Sequence, residues 1–231
     1  MTKFTTTKRT LAALLISGTA LTSVASAAEL TANFGATSDY IWRGMSQNAG
    51  GSSLSGGLDV DFKNGFYAGT WVGDTAAADL SAKPDLTDYG TQEVDYYAGY
   101  AGEANGLSYD IGYIEYTYPS SQSEAEADFS EAYITLGVGS FSVSYYTLVD
   151  AEDADQGDST YVGFDYETEI NGFGVALHYG NYDGDFVGPD DLSNTTLTLS
   201  KDDFSYSLVT TDGMTDADDD ARLVVSWGIE F

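Results

Sequence analysis

Carboxylate side chains recur at alternate positions in several short segments of this chain. Glu93 and Asp95 show the spacing, because residues two apart share one face of an extended strand. Rings of carboxylates in a wall of low dielectric constant concentrate cations and repel anions. If these strands close into a barrel, the spacing predicts an acidic lumen that favours cations. Its predicted lining residues are Asp39, Arg43, Asp59, Asp61, Lys63, Glu93, Asp95, Asp110, Glu131, Asp165, Glu167, His178 and Arg222.

Two states of such a lumen fit the sequence. The carboxylates could line an open or gated pore, or they could pair with basic residues and tyrosine hydroxyls and fill a closed lumen. Barrels of about eight strands are filled by side chains, whereas barrels of about sixteen leave an aqueous channel. A barrel of about twelve strands lies between these sizes, and we favour the open or gated pore.

Arg43 is the basic residue of this set with the most distinctive position, since it ends the first predicted strand, Leu30–Arg43, beside Gly44. It could form a constriction or anchor a loop. It could also form an ion pair at the rim with Asp39, four positions earlier on the same face, although that separation along a strand is long for direct contact. Both interpretations stay open at this point.

His178 is the only histidine, and alternation places it on the inward face. A hydrolase would need this histidine to activate a serine or a water molecule, with Asp165 or Glu167 to orient it. The chain has no GxSxG, HExxH or phosphate-binding motif and no cysteine. We therefore predict that the protein is not an enzyme, that it uses no cofactor, and that His178 is a polar lumen residue.

Two acidic stretches, residues 150–158 and 212–220, offer many oxygen ligands for Ca²⁺ or Mg²⁺. Neither has the glycine at position six and the glutamate at position twelve that an EF-hand needs. We interpret both as solvated surface loops and predict no metal site. Divalent bridging to lipopolysaccharide phosphates remains a minor alternative.

About twelve alternating segments follow Glu29, and each is near the roughly 9 to 11 residues that a tilted strand needs to cross a bilayer. The first is Leu30–Arg43 and the second is about Leu54–Lys63. A soluble β-sandwich also alternates, but it needs no aromatic residues near its strand ends. This pattern favours an all-β fold, a transmembrane antiparallel up-and-down β-barrel.

Aromatic residues near the segment ends predict the interfacial girdles of such a barrel. In the first segment we place Tyr40 and Trp42 on the outer, lipid-facing side. In the third segment we place Tyr67, Gly69 and Trp71 on that side. A two-residue Asn-Gly turn would put them on the same face of the sheet as Phe62 of the second segment.

The connections between segments alternate between short and long. Asn64-Gly65 and Asn171-Gly172 are predicted as two-residue hairpin turns, the strongest short-range hairpin signal. The other short connections are Gly102 to Gly106, Gly139-Ser140 and Lys201 to Asp203. Long polar loops are predicted near residues 44–53, 74–90, 119–128, 150–158, 181–191 and 211–220. Short turns on one side and long loops on the other are typical of outer-membrane barrels.

The last residues, Ala221 to Phe231, read as a strand with one apolar face. An exposed edge of this kind promotes aggregation unless it is covered, and pairing with the first strand would cover it. The apolar alternation also resembles the C-terminal signal that outer-membrane assembly machinery reads. The predicted signal residues are Leu223, Val225, Trp227, Ile229 and Phe231.

The start of the chain and its charge limit the class of protein. Residues 1–27 show the charged, apolar and small-residue order of a secretory signal peptide, which leaves 28–231 as the barrel. Thirty-seven acidic residues face eight basic ones, for a net charge of −29. That balance excludes nucleic acid as a partner, because such surfaces need clustered Lys and Arg. Eighteen tyrosines argue against disorder.

The segment Ser38 to Trp71 resembles the opening of the TorF family of proteobacterial porins. Its matching elements are Ser38-Asp39-Tyr40, Arg43-Gly44, Ser46-Gln47 and Gly65-Phe66-Tyr67-Ala68-Gly69. Later pieces that also fit are Glu93-Val94-Asp95-Tyr96-Tyr97, Gly99-Tyr100, Tyr113 to Pro119 and Ser130-Glu131-Ala132-Tyr133. The resemblance covers most of the chain after the signal peptide and is most specific before about residue 135. It implies an outer-membrane barrel and a pore, and it implies no substrate and no catalytic residues.

The sequence thus predicts a passive, cation-leaning channel for small hydrophilic solutes in the outer membrane of a Gram-negative bacterium. Its expected partners are membrane lipid and lipopolysaccharide, the outer-membrane assembly machinery, and small solutes or cations. A non-conducting barrel with a structural or surface-interaction role through its acidic loops is the alternative.

Overall fold

The computed structural model describes residues 28–75, 91–119, 128–151, 154–184, 186, 192–213 and 220–231; the predicted signal peptide, residues 1–27, lies outside them. No helix in this part of the chain is long and apolar enough to span a membrane. Its strands, in chain order, are β1 Glu29–Thr37, β2 Ile41–Trp42, β3 Met45–Ser46, β4 Ser53–Asp61, β5 Phe66–Asp74, β6 Gln92–Ala104, β7 Leu107–Thr117, β8 Phe129–Val138, β9 Phe141–Ala151, β10 Thr160–Ile170, β11 Phe173–Asp183, β12 Leu192–Lys201, β13 Phe204–Asp212 and β14 Arg222–Glu230.

Twelve of these strands form a closed antiparallel barrel, which confirms the predicted fold. The order around the barrel is β1-β14-β13-β12-β11-β10-β9-β8-β7-β6-β5-β4, so each strand pairs with its neighbours in the chain once β2 and β3 are set aside. β14 closes the ring by pairing with β1, with Ile229 opposite Phe34. Phe231 extends this seam, since its backbone N–H and C=O bond the C=O and N–H of Ala32, both at 2.9 Å.

The outer surface of the barrel is apolar all the way round. Strand residues alternate between the two faces, and the apolar set faces outward, where it is exposed. A surface of this extent is far larger than the patches that monomeric soluble proteins expose. Representative exposed residues are Leu30, Phe34, Leu54, Leu58, Phe66, Ile111, Phe141, Phe164, Leu177, Leu199, Tyr206 and Leu223.

Short turns lie at one end of the barrel, here called the turn side, and the longer connections lie at the other, the loop side. Asn171 and Gly172 both have positive φ, 55° and 79°, which confirms that two-residue turn. The predicted two-residue turn at Asn64-Gly65 is wrong. The Phe62 N–H donates to the Phe66 C=O at 3.0 Å, and Lys63 and Gly65 take the positive φ values, so the loop has three residues.

The extra turn residue changes which side chains of β5 face outward. A shift of one residue exchanges the two faces of a strand. Phe66 and Val72 are exposed on the outer surface, whereas Tyr67 and Trp71 face the lumen. Our placement of Tyr67, Gly69 and Trp71 on the outer face was therefore wrong.

Candidate functional site

The first long loop folds into the barrel instead of covering its mouth. β1 ends at Thr37, not at Arg43 as predicted, and residues 38–52 form a segment that we call the lumen hairpin. Its two short strands pair Ile41 with Ser46 and Trp42 with Met45. Between them Arg43 and Gly44 have φ values of 48° and 84°, the signs of a two-residue type I′ turn.

The lumen hairpin is held together by its own hydrogen bonds. The Gln47 N–H donates to the Tyr40 C=O at 2.7 Å, and the Ser46 hydroxyl donates to Oδ1 of Asp39 at 2.6 Å. The Tyr40 N–H donates to Oδ1 of Asn48 at 3.1 Å. These bonds give the segment a defined shape of its own, so that it packs against the wall as a unit.

A buried ion pair joins the hairpin tip to the barrel wall. Nη1 and Nη2 of Arg43 donate to Oε1 and Oε2 of Glu131 on β8, each at 2.7 Å. The two side chains are only 6% and 3% exposed, and the Tyr116 hydroxyl donates to the same carboxylate at 3.2 Å. A two-bonded arginine–carboxylate contact fixes orientation as well as distance. Breaking such a buried pair is strongly destabilising, because one charge is left without its partner.

Three aromatic rings surround the guanidinium of Arg43. Its central carbon lies 4.3 Å from the ring centroid of Trp42, 4.4 Å from that of Tyr161 and 4.9 Å from that of Tyr146. All three distances suit cation–π attraction, which strengthens when water is excluded. We call Glu131, Trp42, Tyr146 and Tyr161 the arginine cage. Burial alone lowers the pKa of Arg43, but the adjacent Glu131 carboxylate raises that pKa above its ordinary value, so the guanidinium stays charged.

The lumen hairpin reaches from one wall of the barrel to the opposite wall. On one side the Tyr40 hydroxyl donates to Oε1 of Glu93 on β6 at 3.1 Å. On the other side Gly44 is packed against Asn194 of β12 and Thr211 of β13, since a Cβ at Gly44 would lie 2.7 Å and 2.3 Å from their side-chain carbons. β6 and β12 are six places apart in a ring of twelve, and so they are diametrically opposed. The hairpin therefore crosses the lumen, with the turn side of the lumen beyond it.

The turn side of the lumen carries carboxylates that bond neutral groups. Asp59 accepts from Nδ2 of Asn33 at 3.2 Å and from the Tyr97 hydroxyl at 2.5 Å. Asp110 accepts from the Tyr67 hydroxyl at 2.7 Å. Neutral donors orient a carboxylate without cancelling its charge. Asp59 and Asp110 are also only half-buried, unlike the carboxylates near the hairpin.

Sequence comparison places the chain in a family. A family model described as a bacterial protein of unknown function, Gcw_chp, matches residues 22–226. The chain belongs to the Gcw_chp family. No protein in the curated set matches it.

Solved structures similar to this Gcw_chp-family chain are barrels. A structure of the KdgM porin has a TM-score of 0.52 at 11% identity, over 87% of this chain and 98% of that one. A KdgM porin in complex with disordered oligogalacturonate has a TM-score of 0.51 at 11% identity, with the same coverage. Likeness at so low an identity shows a common fold, and function must be argued from the site.

The structure of the Gcw_chp-family chain places the predicted site residues in three groups. Near the hairpin, five are buried: Asp39, Arg43, Glu93, Asp95 and Glu131. Six are half-buried on barrel strands: Asp59, Asp110, Asp165, Glu167, His178 and Arg222. The remaining two, Asp61 and Lys63, are exposed at the turn-side rim.

The structure identifies the partner of Arg43 and the position of Lys63. Arg43 pairs with Glu131 and not with Asp39, because the turn at Arg43 and Gly44 carries the guanidinium across the lumen while Asp39 bonds Ser46. Lys63 lies at the turn-side rim of the barrel. β4 ends at Asp61, so strand alternation no longer applies to Lys63, which pairs with Glu29 and lies 3.1 Å from Asp61.

His178 lies on β11 with both ring nitrogens in use. Its Nδ1 is 2.7 Å from Oδ1 of Asp165, and its Nε2 is 2.6 Å from the Tyr161 hydroxyl. That hydroxyl is also 3.1 Å from Oδ1 of Asn194. The histidine therefore positions a ring of the arginine cage. In the described part of the chain no cluster of three or more His, Cys, Asp or Glu residues is arranged to hold a metal ion.

Inward tyrosines are the site residues that the sequence analysis missed. Tyr133, Tyr146, Tyr161 and Tyr182 face one another in register on β8, β9, β10 and β11, and the rings of the first two stack at 5.1 Å. Tyr40 and Trp42, which we placed on the outer face, also lie in the lumen, because they belong to the hairpin. Tyr133 could have been found, since it shares the face of Glu131 two residues earlier.

Proposed function

We propose that this protein is an outer-membrane channel of a Gram-negative bacterium, selective for small hydrophilic cations, whose conductance is set by the lumen hairpin. The observation that carries the proposal is a closed barrel with an apolar outer face and a lumen lined by carboxylates. In lipid every backbone polar group must be paired, and closed barrels meet that condition. The porin fold and the TorF resemblance support the same proposal.

The charges of the lumen support cation selectivity. Arg43 is a buried basic group inside the barrel, and the carboxylate of Glu131 balances it. On the turn side Asp59 and Asp110 bond only neutral donors in the hydrogen bonds described above, and no basic group offsets them in those bonds. A cation entering from the turn side would meet these carboxylates first, whereas an anion would be repelled by them.

Neutralising the turn-side carboxylates should reduce cation selectivity. We expect the double variant Asp59→Asn/Asp110→Asn to shift the reversal potential in a salt gradient toward zero, because two fixed negative charges are lost. The measurement is planar-bilayer recording of purified protein across a KCl gradient. Asp61→Asn, at the exposed rim, is the matched control and should change the potential less. Anion preference in the unaltered protein would refute the charge argument.

The lumen hairpin also supports the alternative, a non-conducting barrel with a structural or surface-interaction role. Its contacts with β6 and β12 on opposite walls place it across the path through the barrel. The bilayer recordings separate the two functions. Steady current through the unaltered barrel supports the channel, and no current in the unaltered protein or in any hairpin variant supports the non-conducting barrel.

We also propose that the C-terminal strand directs insertion by the outer-membrane assembly machinery into lipid and lipopolysaccharide. Phe231 is 74% exposed beyond the end of β14, so its ring is accessible to the assembly machinery. Deleting Phe231 removes the exposed ring and two backbone bonds of the closing seam. We expect less heat-modifiable barrel in outer-membrane fractions, with normal conductance of the molecules that do insert. Normal insertion would restrict this strand to a closing role.

A further inference from the structure

We propose that the wall of the arginine cage is a binding site for solutes that carry a guanidinium group. The guanidinium of Arg43, which is attached to the chain, occupies this site in place of such a solute. The wall residues are Glu131, Tyr146 and Tyr161, on β8, β9 and β10. The binding site rests on the cage geometry alone. Its consequence for conductance rests on the proposed channel function.

The cage matches the shape of a guanidinium and not only its charge. Glu131 receives the two terminal nitrogens of Arg43 at 2.7 Å each, which needs a planar fork of donors. The Tyr146 and Tyr161 rings lie 4.9 Å and 4.4 Å from the guanidinium carbon and offer it their faces. An ammonium ion could form a single strong bond to the carboxylate, but it lacks the flat surface that these rings contact.

The wall part of the cage is held in place without the hairpin. The Tyr116 hydroxyl donates to Glu131, and the Tyr146 ring stacks on Tyr133. The Tyr161 hydroxyl is bonded to His178 and Asn194. All of these supporting residues lie on barrel strands, so the three wall groups keep their arrangement when the hairpin moves away. A preorganised site loses less binding energy to the ordering of its own side chains.

Arg43 itself is attached to the chain in a way that suits reversible occupancy. Its φ of 48° is uncommon for a residue other than glycine, asparagine or aspartate, so the turn that delivers the guanidinium is strained. As part of the same molecule, Arg43 competes at an effective concentration of about millimolar. A free guanidinium solute should therefore replace it only when abundant, and replacement would release the hairpin from the wall.

The direct test uses methylguanidinium as the probe and ligand-observed NMR to measure binding to purified protein in detergent. In Arg43→Ala the wall site is empty, and we expect methylguanidinium to bind at least tenfold more tightly than to the unaltered protein. Lys201→Ala, which removes one positive charge at the turn side, should bind like the unaltered protein. Adding Glu131→Gln to Arg43→Ala should abolish the binding.

Methylammonium chloride is the control for charge. If Arg43→Ala keeps the heat-modifiable behaviour of a folded barrel and does not bind methylguanidinium, or binds methylammonium equally well, the proposed site is wrong. Should Arg43→Ala fail to fold, Arg43→Gln provides the same comparison with a side chain of similar length. Equal binding of methylguanidinium to the unaltered and variant proteins would also overturn the proposed site.

Bilayer recordings separate this site from the channel proposal. If the site and the channel are both correct, millimolar methylguanidinium should alter the current of Arg43→Ala, and Glu131→Gln should remove that response. Binding without current in any variant would leave the site standing and refute the channel. Current without binding would leave the channel standing and refute the site.

Discussion

Replacing Arg43 with alanine is expected to raise the mean current through the barrel at least tenfold. The change removes both 2.7 Å bonds to Glu131 and the contacts with three aromatic rings. Removing one partner of a buried ion pair costs about 3–5 kcal/mol. Because the barrel strands are paired independently of the hairpin, this cost falls mainly on the packing of the hairpin in the lumen.

The size of that cost sets the expected change in current. Each 1.4 kcal/mol is about a tenfold change in an equilibrium constant, so 3–5 kcal/mol raises the released fraction of the hairpin by roughly 10² to 4 × 10³. A tenfold rise in mean current is therefore a cautious minimum. Lys201→Ala controls for the loss of a positive charge. The current of Arg43→Lys should lie between those of the unaltered protein and Arg43→Ala, since lysine keeps the charge but not the planar fork of donors. Currents of Arg43→Ala equal to those of Lys201→Ala would remove Arg43 from any role in the lumen.

Gly44→Ala should release the hairpin as well, by a steric route that leaves every charge in place. A Cβ at Gly44 would lie 2.3 Å from Cγ2 of Thr211 and 2.7 Å from Cβ of Asn194, both short side chains on the wall. The φ of 84° adds a backbone penalty of about 1–2 kcal/mol for an L-residue. The chain has no cysteine, so a single Met45→Cys change reports on the hairpin, because Met45 is only 6% exposed.

We expect the thiol in Met45→Cys to react slowly with a membrane-impermeant reagent, and at least tenfold faster when Gly44→Ala is added. Gly50→Ala is a closely matched control. Gly50 lies in the same hairpin with a φ of 74°, and nothing lies within 4 Å of the position of its Cβ. Both alanines therefore meet the backbone strain, and only Gly44→Ala meets the wall. Equal labelling rates in the two variants would show that the tip of the hairpin does not pack against Thr211 and Asn194.

The barrel could be predicted from the sequence because its determinants are local and periodic. Residues such as Phe164 and Leu177 report their outward position through alternation alone, and Asn171-Gly172 specifies its turn through the φ that both residues must adopt. The closing pair of β14 with β1 followed from an apolar terminal strand that needed cover.

The lumen hairpin could not be predicted in the same way. Arg43 and Glu131 are 88 residues apart, and no local pattern relates them. Arg43-Gly44 was available as a turn signal, but an apolar alternation from Leu30 to Trp42, interrupted at Ser38, favoured one long strand. The wrong face for Tyr67 had a different cause, since one extra residue in the preceding turn exchanges the faces of β5.

The contacts of the hairpin explain why an acidic lumen contains a buried arginine. Glu131, Glu93 and Asp95 face the loop side of the lumen, and each is almost fully buried. Arg43 offsets one of these charges, and the Tyr40 hydroxyl bonds another. The turn-side carboxylates, Asp59 and Asp110, are half-buried, and solutes of the proposed channel would meet them there. In the proposed channel, conductance and selectivity thus depend on different parts of one lumen.

Conductance of a barrel without the lumen hairpin tests this account most directly. Thr37 and Ser53 are partners across β1 and β4, so a two-residue Asn-Gly turn can replace residues 38–52 without changing the register. Heat-modifiability confirms that the shortened chain forms a barrel. In planar bilayers we predict a steady single-channel conductance several-fold larger than that of the unaltered protein. The same conductance in both proteins would show that residues 38–52 do not limit the pore and would contradict the account.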